Sequence, residues 1–172
     1  NLTKLEILDL SNNKIKDISV INNMKELKYL NAQWNEISTI PSGFSELTKL
    51  NYIRLGQNKI KGNFPSYLQN LQLNTFEISS NEFEGKIPAL NFDLANSTVN
   101  YYIAGQGVAF LNKTLGIYDN KFRFIDFANE FEIYKTKIAS NYFTYQYQKR
   151  INVVETITKG IGQSVTLKMF PE

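Results

Sequence analysis

The sequence predicts an α/β solenoid: short parallel strands stacked on a concave side, loops and single helical turns on the convex side, and an aromatic cap toward the C-terminal end. Three observations lead there. An apolar pattern, LxxLxLxxN, occurs four times, and its asparagines fall 35−13 = 22, 58−35 = 23 and 81−58 = 23 residues apart. Inside each unit the alternation lasts for only one inward pair, while the three-and-four spacing of a helix is not sustained. Two of the units then close on a glycine and a proline, Lys61-Gly62-Asn63-Phe64-Pro65 and Glu84-Gly85-Lys86-Ile87-Pro88. Self-similarity at a fixed period of this size marks coils that stack on their neighbours.

The first unit runs Leu2, Leu5, Leu8, Leu10, Asn13, Ile15, Ile18, and the second Met24, Leu27, Leu30, Ala32, Asn35, Ile37, Ile40-Pro41. The third is Leu47, Leu50, Ile53, Leu55, Asn58, Ile60, Phe64-Pro65, and the fourth Leu73, Phe76, Ile78, Asn81, Phe83, Ile87-Pro88. One such coil buries about six apolar side chains at roughly 1.5–3 kcal/mol each. Ordering its backbone costs on the order of 1–2 kcal/mol for every residue, which is more. A coil therefore stands only when neighbours cover its remaining faces.

Each asparagine sits where the chain leaves the strand, among backbone groups that have no regular ladder. Its amide offers both a donor and acceptors, so Asn13, Asn35, Asn58 and Asn81 are read as a structural column and not as ligand contacts. The glycine serves a tight turn, and proline ends the extended stretch without needing a donor. Pro41 to Leu47 and Pro65 to Leu71 then read as single helical turns.

From Ala89 the register breaks, and Leu115, Ile117, Asn120 and Phe122 restore it 120−81 = 39 residues after Asn81. The insert, near 90–111, holds Thr98–Ala104, Gly105-Gln106-Gly107 and Val108–Leu111. Two readings compete: a hairpin about the glycines, or a further stacked strand through Tyr101 and Ile103 with Gln106 at the asparagine position. The second is preferred. Repeats thus occupy 1–125, and a cap occupies 126–150: Asp126 caps a short helix with Phe127, Phe131 and Tyr134 on one face, followed by an extended tyrosine-rich segment over Asn141–Arg150. That tyrosine row reads as edge cover ahead of a sugar-binding face. Residues 151–172 form a β-rich tail.

Composition narrows the function. The chain has no histidine, which removes the commonest general base and zinc ligand, and no cysteine, which removes disulfides and thiolate metal sites. Glu6, Asp9, Asp17 and Glu26 lack the spacing of a calcium loop, and nothing places two carboxylates around a cleft. A net charge of +3 with interspersed signs is no nucleic-acid footprint, and no apolar run is long enough for a membrane helix. Three N-x-T/S sequences begin at Asn1, Asn96 and Asn112; they carry meaning only in a secreted eukaryotic chain. We expect no enzyme, no cofactor and no metal. Because the chain opens inside a repeat, with no leader ahead of it, it is expected to be a piece of a longer protein.

The four repeats resemble the leucine-rich repeat superfamily, and the Gly-x-Ile-Pro-like endings of the third and fourth resemble its plant-type class, also found in bacterial surface proteins. The run DNKFRFIDFANEFEIYKTKI, then FTYQYQKRI and GQSVTL, is similar to Bacteroidota-type cell-surface proteins in which such repeats lead into immunoglobulin-like modules. It departs from them at Gln146-Tyr147, where proline-glutamine would be expected. The resemblance implies an extracellular or cell-surface recognition or adhesion module for a protein or glycan, with neighbouring domains in the same longer chain. A structural spacer, or an accessory domain of a larger surface complex or surface enzyme, is the alternative.

Outward strand positions define the face where such a partner would sit. They are Ile7, Asp9 and Ser11; Tyr29, Asn31, Gln33 and Trp34; Tyr52, Arg54 and Gln57; Thr75, Glu77 and Ser79; and Tyr118 in the fifth coil. Tyr29, Trp34, Tyr52 and Arg54 are the residue types that dominate interface energies, and Asn31, Gln33, Gln57, Glu77 and Tyr118 complete the candidate set. Against this stands the plain reading that they are β-compatible residues on a solvated sheet.

Overall fold

The computed structural model describes residues 2–92, 98–103, 107–112, 114–122, 126, 128, 130–131, 143–144, 155–159 and 163–167. In chain order the strands are β1 (Ile7–Asp9), β2 (Tyr29–Asn31), β3 (Tyr52–Arg54), β4 (Lys61–Asn63), β5 (Thr75–Glu77), β6 (Glu82–Glu84), β7 (Thr98–Ile103), β8 (Gly107–Asn112), β9 (Thr114–Gly116), β10 (Phe143–Thr144), β11 (Glu155–Lys159) and β12 (Gln163–Leu167). Six of them form one parallel sheet in the order β1-β2-β3-β5-β9-β10. The repeats stay in register across it: Leu8, Leu30, Ile53, Phe76 and Leu115 are successive partners. The last four are wholly buried, as the inward position of each coil requires.

The asparagine column forms, and it bonds coil to coil. Asn35, Asn58, Asn81 and Asn120 each accept from a backbone N–H of the preceding coil, those of Ile15, Ile37, Ile60 and Phe83, at 2.9–3.0 Å. Their amide nitrogens donate to carbonyls on both coils; that of Asn58 reaches Ala32 O and Leu55 O, each at 2.9 Å. One side chain thus satisfies a buried turn that has no ladder of its own. The residue before each asparagine lies in the left-handed region: Asn12, Trp34, Gln57, Ser80 and Asp119 have φ between 52° and 58°.

On the way out of the sheet, β4 and β6 pair in parallel, and Gly62 and Gly85 supply φ of 92° and 75° there, which favour glycine. The chain returns through 3₁₀ turns η1 (Ser19–Asn23), η2 (Ser42–Glu46) and η3 (Ser66–Asn70), the last two entered from Pro41 and Pro65. Ile21, Phe44 and Leu68 point from these turns into the core. Five Lys–Glu pairs, including Lys28–Glu6 at 2.9 Å and Lys59–Glu36 at 3.0 Å, bridge adjacent coils on the surface. Exposed pairs contribute about 0–1 kcal/mol each, so they mark register more than they hold it.

The insert corrects one expectation. Of the insert's described residues, 98–103 and 107–112 add no strand to the main sheet; β7 and β8 pair antiparallel with each other, with Tyr101 opposite Ala109. An antiparallel pair closes through a few residues, whereas a parallel one needs a whole returning coil, and the segment between these two runs is too short for that. Gln106, expected at the asparagine position, lies outside the described residues; Asn120 holds that position, behind β9. In the region expected to cap the coil, Asp126 is buried and its carbonyl accepts from Ile87 N at 2.9 Å. Phe131 packs partly buried against the core, while Phe127 and Tyr134 lie outside the described residues. Of Asn141–Arg150, Phe143–Thr144 add the sixth strand beside β9. In the tail, β11 and β12 pair as an antiparallel hairpin.

Candidate functional site

The outward side of the main sheet carries four rows of equivalent positions. The first is Ile7, Tyr29, Tyr52 and Thr75, the second Asp9, Asn31, Arg54, Glu77 and Gly116. Two residues further along each coil lies Ser11, Gln33, Gly56, Ser79 or Tyr118, followed by the left-handed row of Asn12, Trp34, Gln57, Ser80 and Asp119.

The first row is not open. Tyr29 and Tyr52 are 4% and 1% exposed, and their rings stack at 4.1 Å and 8°. The expectation of two solvent-facing tyrosines is corrected: side chains of that size, one strand spacing apart, cover each other's faces, and burial takes the rest. Burial is also the main reason that both hydroxyls titrate above the ordinary tyrosine range, and they hydrogen-bond to one another. A raised pKa means that the fold favours the neutral hydroxyl, so this stability is complete below pH 10 and is lost as pH rises from 10 through the folded value. In an ultraviolet titration Tyr29 and Tyr52 should ionise only as the chain unfolds, and Tyr52→Phe should move alkaline unfolding upward. Reversible ionisation of all ten tyrosines in one step near the ordinary value would refute this.

In the second row, three residues accept from the backbone two positions on. Asp9 Oδ1 takes Ser11 N at 2.9 Å, Asn31 Oδ1 takes Gln33 N at 3.3 Å, and Glu77 Oε1 takes Ser79 N at 2.8 Å. Asn31 also donates to Asp9 Oδ2 at 3.1 Å. Glu77 is buried, and its second oxygen accepts from Gln33 Nε2 two coils away. It fits only because its neighbours are glycines: a Cβ on Gly56 would lie 2.3 Å from Glu77 Oε2, and one on Gly116 would lie 2.8 Å from Glu77 Cγ.

Arg54 breaks the row. It is half-buried, with its guanidinium carbon 5.6 Å from the centre of the Tyr52 ring. Its Nε is shut from solvent with no hydrogen-bond partner, a condition that costs about 1–3 kcal/mol. Glu77 is its register partner, yet that carboxylate is already turned to Gln33 and Ser79.

The left-handed row is the open one. Trp34 is 56% exposed at φ 58°, a conformation that is costly for a bulky side chain. Gln57 beside it is half-buried, as are Asn31, Gln33 and Tyr118. The structure therefore brings Gln33 to Glu77 and Arg54 to Tyr52, buries Tyr29, Tyr52 and Glu77, and leaves Trp34 most exposed of the candidate set. Gly56 and Gly116 escaped sequence reasoning. Their signal was there, since each follows an inward leucine at a position where other coils carry a side chain, but the large group needing that space is on another strand. Among the described residues no group of three or more acidic side chains could hold a metal ion, and no helix is long and apolar enough to cross a membrane.

A family model described as leucine-rich repeats in two copies matches residues 3–42. Among solved structures, the chain is similar to the leucine-rich-repeat ectodomain of the Arabidopsis thaliana receptor kinase GASSHO1/SCHENGEN3, in complex with CASPARIAN STRIP INTEGRITY FACTOR 2. Identity there is 25% and the TM-score 0.54, over 70% of this chain and 13% of that one. An internalin from Listeria monocytogenes is 36% identical over 48% of this chain and 24% of its own, with a TM-score of 0.44. A plant peptide hormone receptor, RGFR1, in complex with RGF2, is 26% identical over 55% and 17%, with a TM-score of 0.45. The chain thus spans a quarter or less of the length of each of these structures. No curated protein matches. The chain carries leucine-rich repeats, folded on a parallel sheet.

Proposed function

We propose that this run of leucine-rich repeats is a non-catalytic recognition module of a secreted or cell-surface protein, one that takes a peptide or protein partner on the outward rim of its sheet. The observation that carries the reading is Trp34. A large aromatic is held mostly in solvent at a backbone conformation where asparagine, aspartate or glycine would be cheaper. Exposed tryptophans are strong interface anchors, and Gln57, Gln33 and Asn31 surround it with hydrogen-bonding groups. The similarity to a receptor-kinase ectodomain in complex with CASPARIAN STRIP INTEGRITY FACTOR 2 supports a partner on these repeats; a glycan is the second candidate. Under the same reading, the hairpin of β11 and β12 begins a neighbouring module, immunoglobulin-like in the resemblance noted above.

Selection of phage-displayed dodecapeptides on the full chain tests this. Binders to the wild type should lose about tenfold or more in affinity to Trp34→Ala, while Trp34→Asn should bind as poorly and melt slightly higher, by about 0.5–1 kcal/mol of relieved strain. Binders indifferent to both variants would reject the rim as the site. The alternative, a spacer in a larger surface complex or enzyme, draws on the buried centre of the face, where Tyr29, Tyr52 and Thr75 offer nothing to a partner; it predicts no selectable binders that depend on Trp34.

A further inference from the structure

We infer that the outer edge of β4 is a second docking surface, where an extended segment of a partner protein, reading apolar–Asp–apolar–polar, adds in parallel as a further strand. This goes beyond the recognition reading above, whose rim lies on the main sheet; β4 and β6 form a separate one. The edge exists because the coils change length. From the column asparagine to the exit proline, coil two takes 41−35 = 6 residues, whereas coils three and four take 65−58 = 7 and 88−81 = 7. The added residue gives coils three and four an exit strand, and coil two has none. β4 therefore has β6 on one side and no strand on the other. The far side of β6, by contrast, is met by coil five, through Phe83 N to Asn120 Oδ1 and Lys121 N to Phe83 O.

The edge is open in its hydrogen bonds. In a parallel ladder, alternate residues bond to opposite sides. Toward β6, Ile60 O accepts from Glu82 N at 2.7 Å and Phe64 N donates to Glu84 O at 3.1 Å, with Gly62 between them in the ladder. The N–H and C=O groups of Lys61 and Asn63 thus face coil two. There, among the described residues, the last backbone bond between the two coils along this exit is Lys59 N to Ile37 O at 2.9 Å. Beside it lies a cleft of about 390 Å³ whose lining includes Thr39, Ile40, Ile60, Phe64 and Tyr67. Unmet donors and acceptors along an apolar cleft are what strand addition uses: the backbone supplies affinity and alternate side chains supply specificity.

The repeat itself says what fits. Asn63, two residues before its proline, reaches over the glycine of the next coil, so that a Cβ on Gly85 would lie 2.6 Å from Asn63 Oδ1. Thr39 holds the same place before Pro41 but does not reach Gly62, whose Cβ would meet nothing within 4 Å. Asn63 is in register with Glu84, one residue before that glycine; by the same offset, the added residue that covers Gly62 is the one opposite Lys61. Aspartate has the shape of asparagine and brings a charge for Lys61, which is exposed at the cleft, while Glu82 across the ladder is matched to Lys121 at 2.8 Å. The residues on either side of the aspartate, opposite Ile60 and Gly62, turn to the other face and meet the apolar lining.

The acetylated and amidated hexapeptide Thr-Val-Asp-Val-Thr-Thr tests this on the full chain, by amide hydrogen exchange. Without peptide, the N–H groups of Lys61 and Asn63 should exchange about tenfold or more faster than that of Phe64, which β6 already holds. Saturating peptide should slow both by about tenfold or more and leave Phe64 unchanged. Gly62→Asn puts a side chain into the space the aspartate needs, at a φ that asparagine tolerates better than most residues, and should bind the peptide about tenfold more weakly. Lysine in place of the peptide's aspartate should weaken binding by a similar factor of about ten. Trp34→Ala, which leaves this edge intact, should bind as the wild type does, so the rim and the edge stand or fall separately. No added protection of Lys61 and Asn63, equal protection of the amides of β1 at the start of the main sheet, or equal binding of the lysine peptide would overturn the proposal. Protection that grows with protein concentration in the absence of peptide would give the edge to a second copy of this chain and overturn its assignment to a partner.

Discussion

Asn81→Leu is expected to destabilise the chain by roughly 1–3 kcal/mol, enough to loosen the joint between its third and fourth coils. Asn81 is 0% exposed. Its oxygen accepts from Ile60 N at 3.0 Å, and its nitrogen donates to Leu55 O, Ile78 O and Ser79 O at 3.0, 2.9 and 3.3 Å. Leucine matches the size but strands Ile60 N, while Leu55 O, Ile78 O and Ser79 O each keep one donor, from Asn58 Nδ2, Asn120 Nδ2 and Gln57 N. Asn81→Asp separates the two halves of the loss. It keeps the acceptor for Ile60 N but turns a carboxylate toward three carbonyl oxygens, so the new group's folded pKa must rise above its unfolded value of about 3.9. Stability tied to the neutral form is present below that unfolded value and is lost as pH rises through the folded one. The gap in melting temperature between wild type and Asn81→Asp should therefore narrow between pH 7 and pH 4, while the gap for Asn81→Leu stays constant. A pH-independent gap for both would show that the amide nitrogen is not what the turn requires.

The column could be read from the sequence because its cause is local and repeats. Every coil has the same turn to satisfy and the same residue to do it, so period and residue type carry the answer together. The turn glycines Gly62 and Gly85 and the entries at Pro41 and Pro65 were legible for the same reason: each follows from a backbone requirement at one position. The outward face was legible only as a set of positions. That Tyr29 and Tyr52 would pair ring to ring follows from their equivalent places; that both would be closed to solvent does not, since burial depends on chain far away in sequence. Glu77 is the sharper case. Its environment is made by Gln33, 44 residues earlier, and by space left at Gly56 and Gly116. No pattern within one repeat encodes that arrangement. The insert failed by a different route: β propensity in Thr98–Ile103 correctly gave a strand, but propensity does not choose between a parallel neighbour a full coil away and an antiparallel one beyond a few residues.

Phe83→Ala should cost about 3–5 kcal/mol, and the loss should fall unevenly along the stacked coils. The ring is 1% exposed, lies parallel to Phe122 at 6.4 Å and 5°, and meets Phe64 at 6.3 Å. Its backbone is also the joint between the fourth and fifth coils: Phe83 N donates to Asn120 Oδ1 at 3.0 Å, and its carbonyl accepts from Lys121 N at 2.8 Å. Alanine keeps both hydrogen bonds and removes the side chain that fills the space between three coils, so the defect is a cavity at that joint. Where each repeat is held mainly by its neighbours, weakening one interface uncouples what lies beyond it. Amides of coil five, those of Lys121 and of Ile117 to Asn120, should then exchange with solvent well before those of Ile53 and Leu55 in coil three, whose contacts the substitution leaves in place. Phe83→Leu, which refills most of the volume, should cost less than about 1.5 kcal/mol and restore the wild-type order of exchange. Uniform acceleration across coils one to five in Phe83→Ala would instead mean that the repeats open as a single unit and that no one joint governs its neighbour.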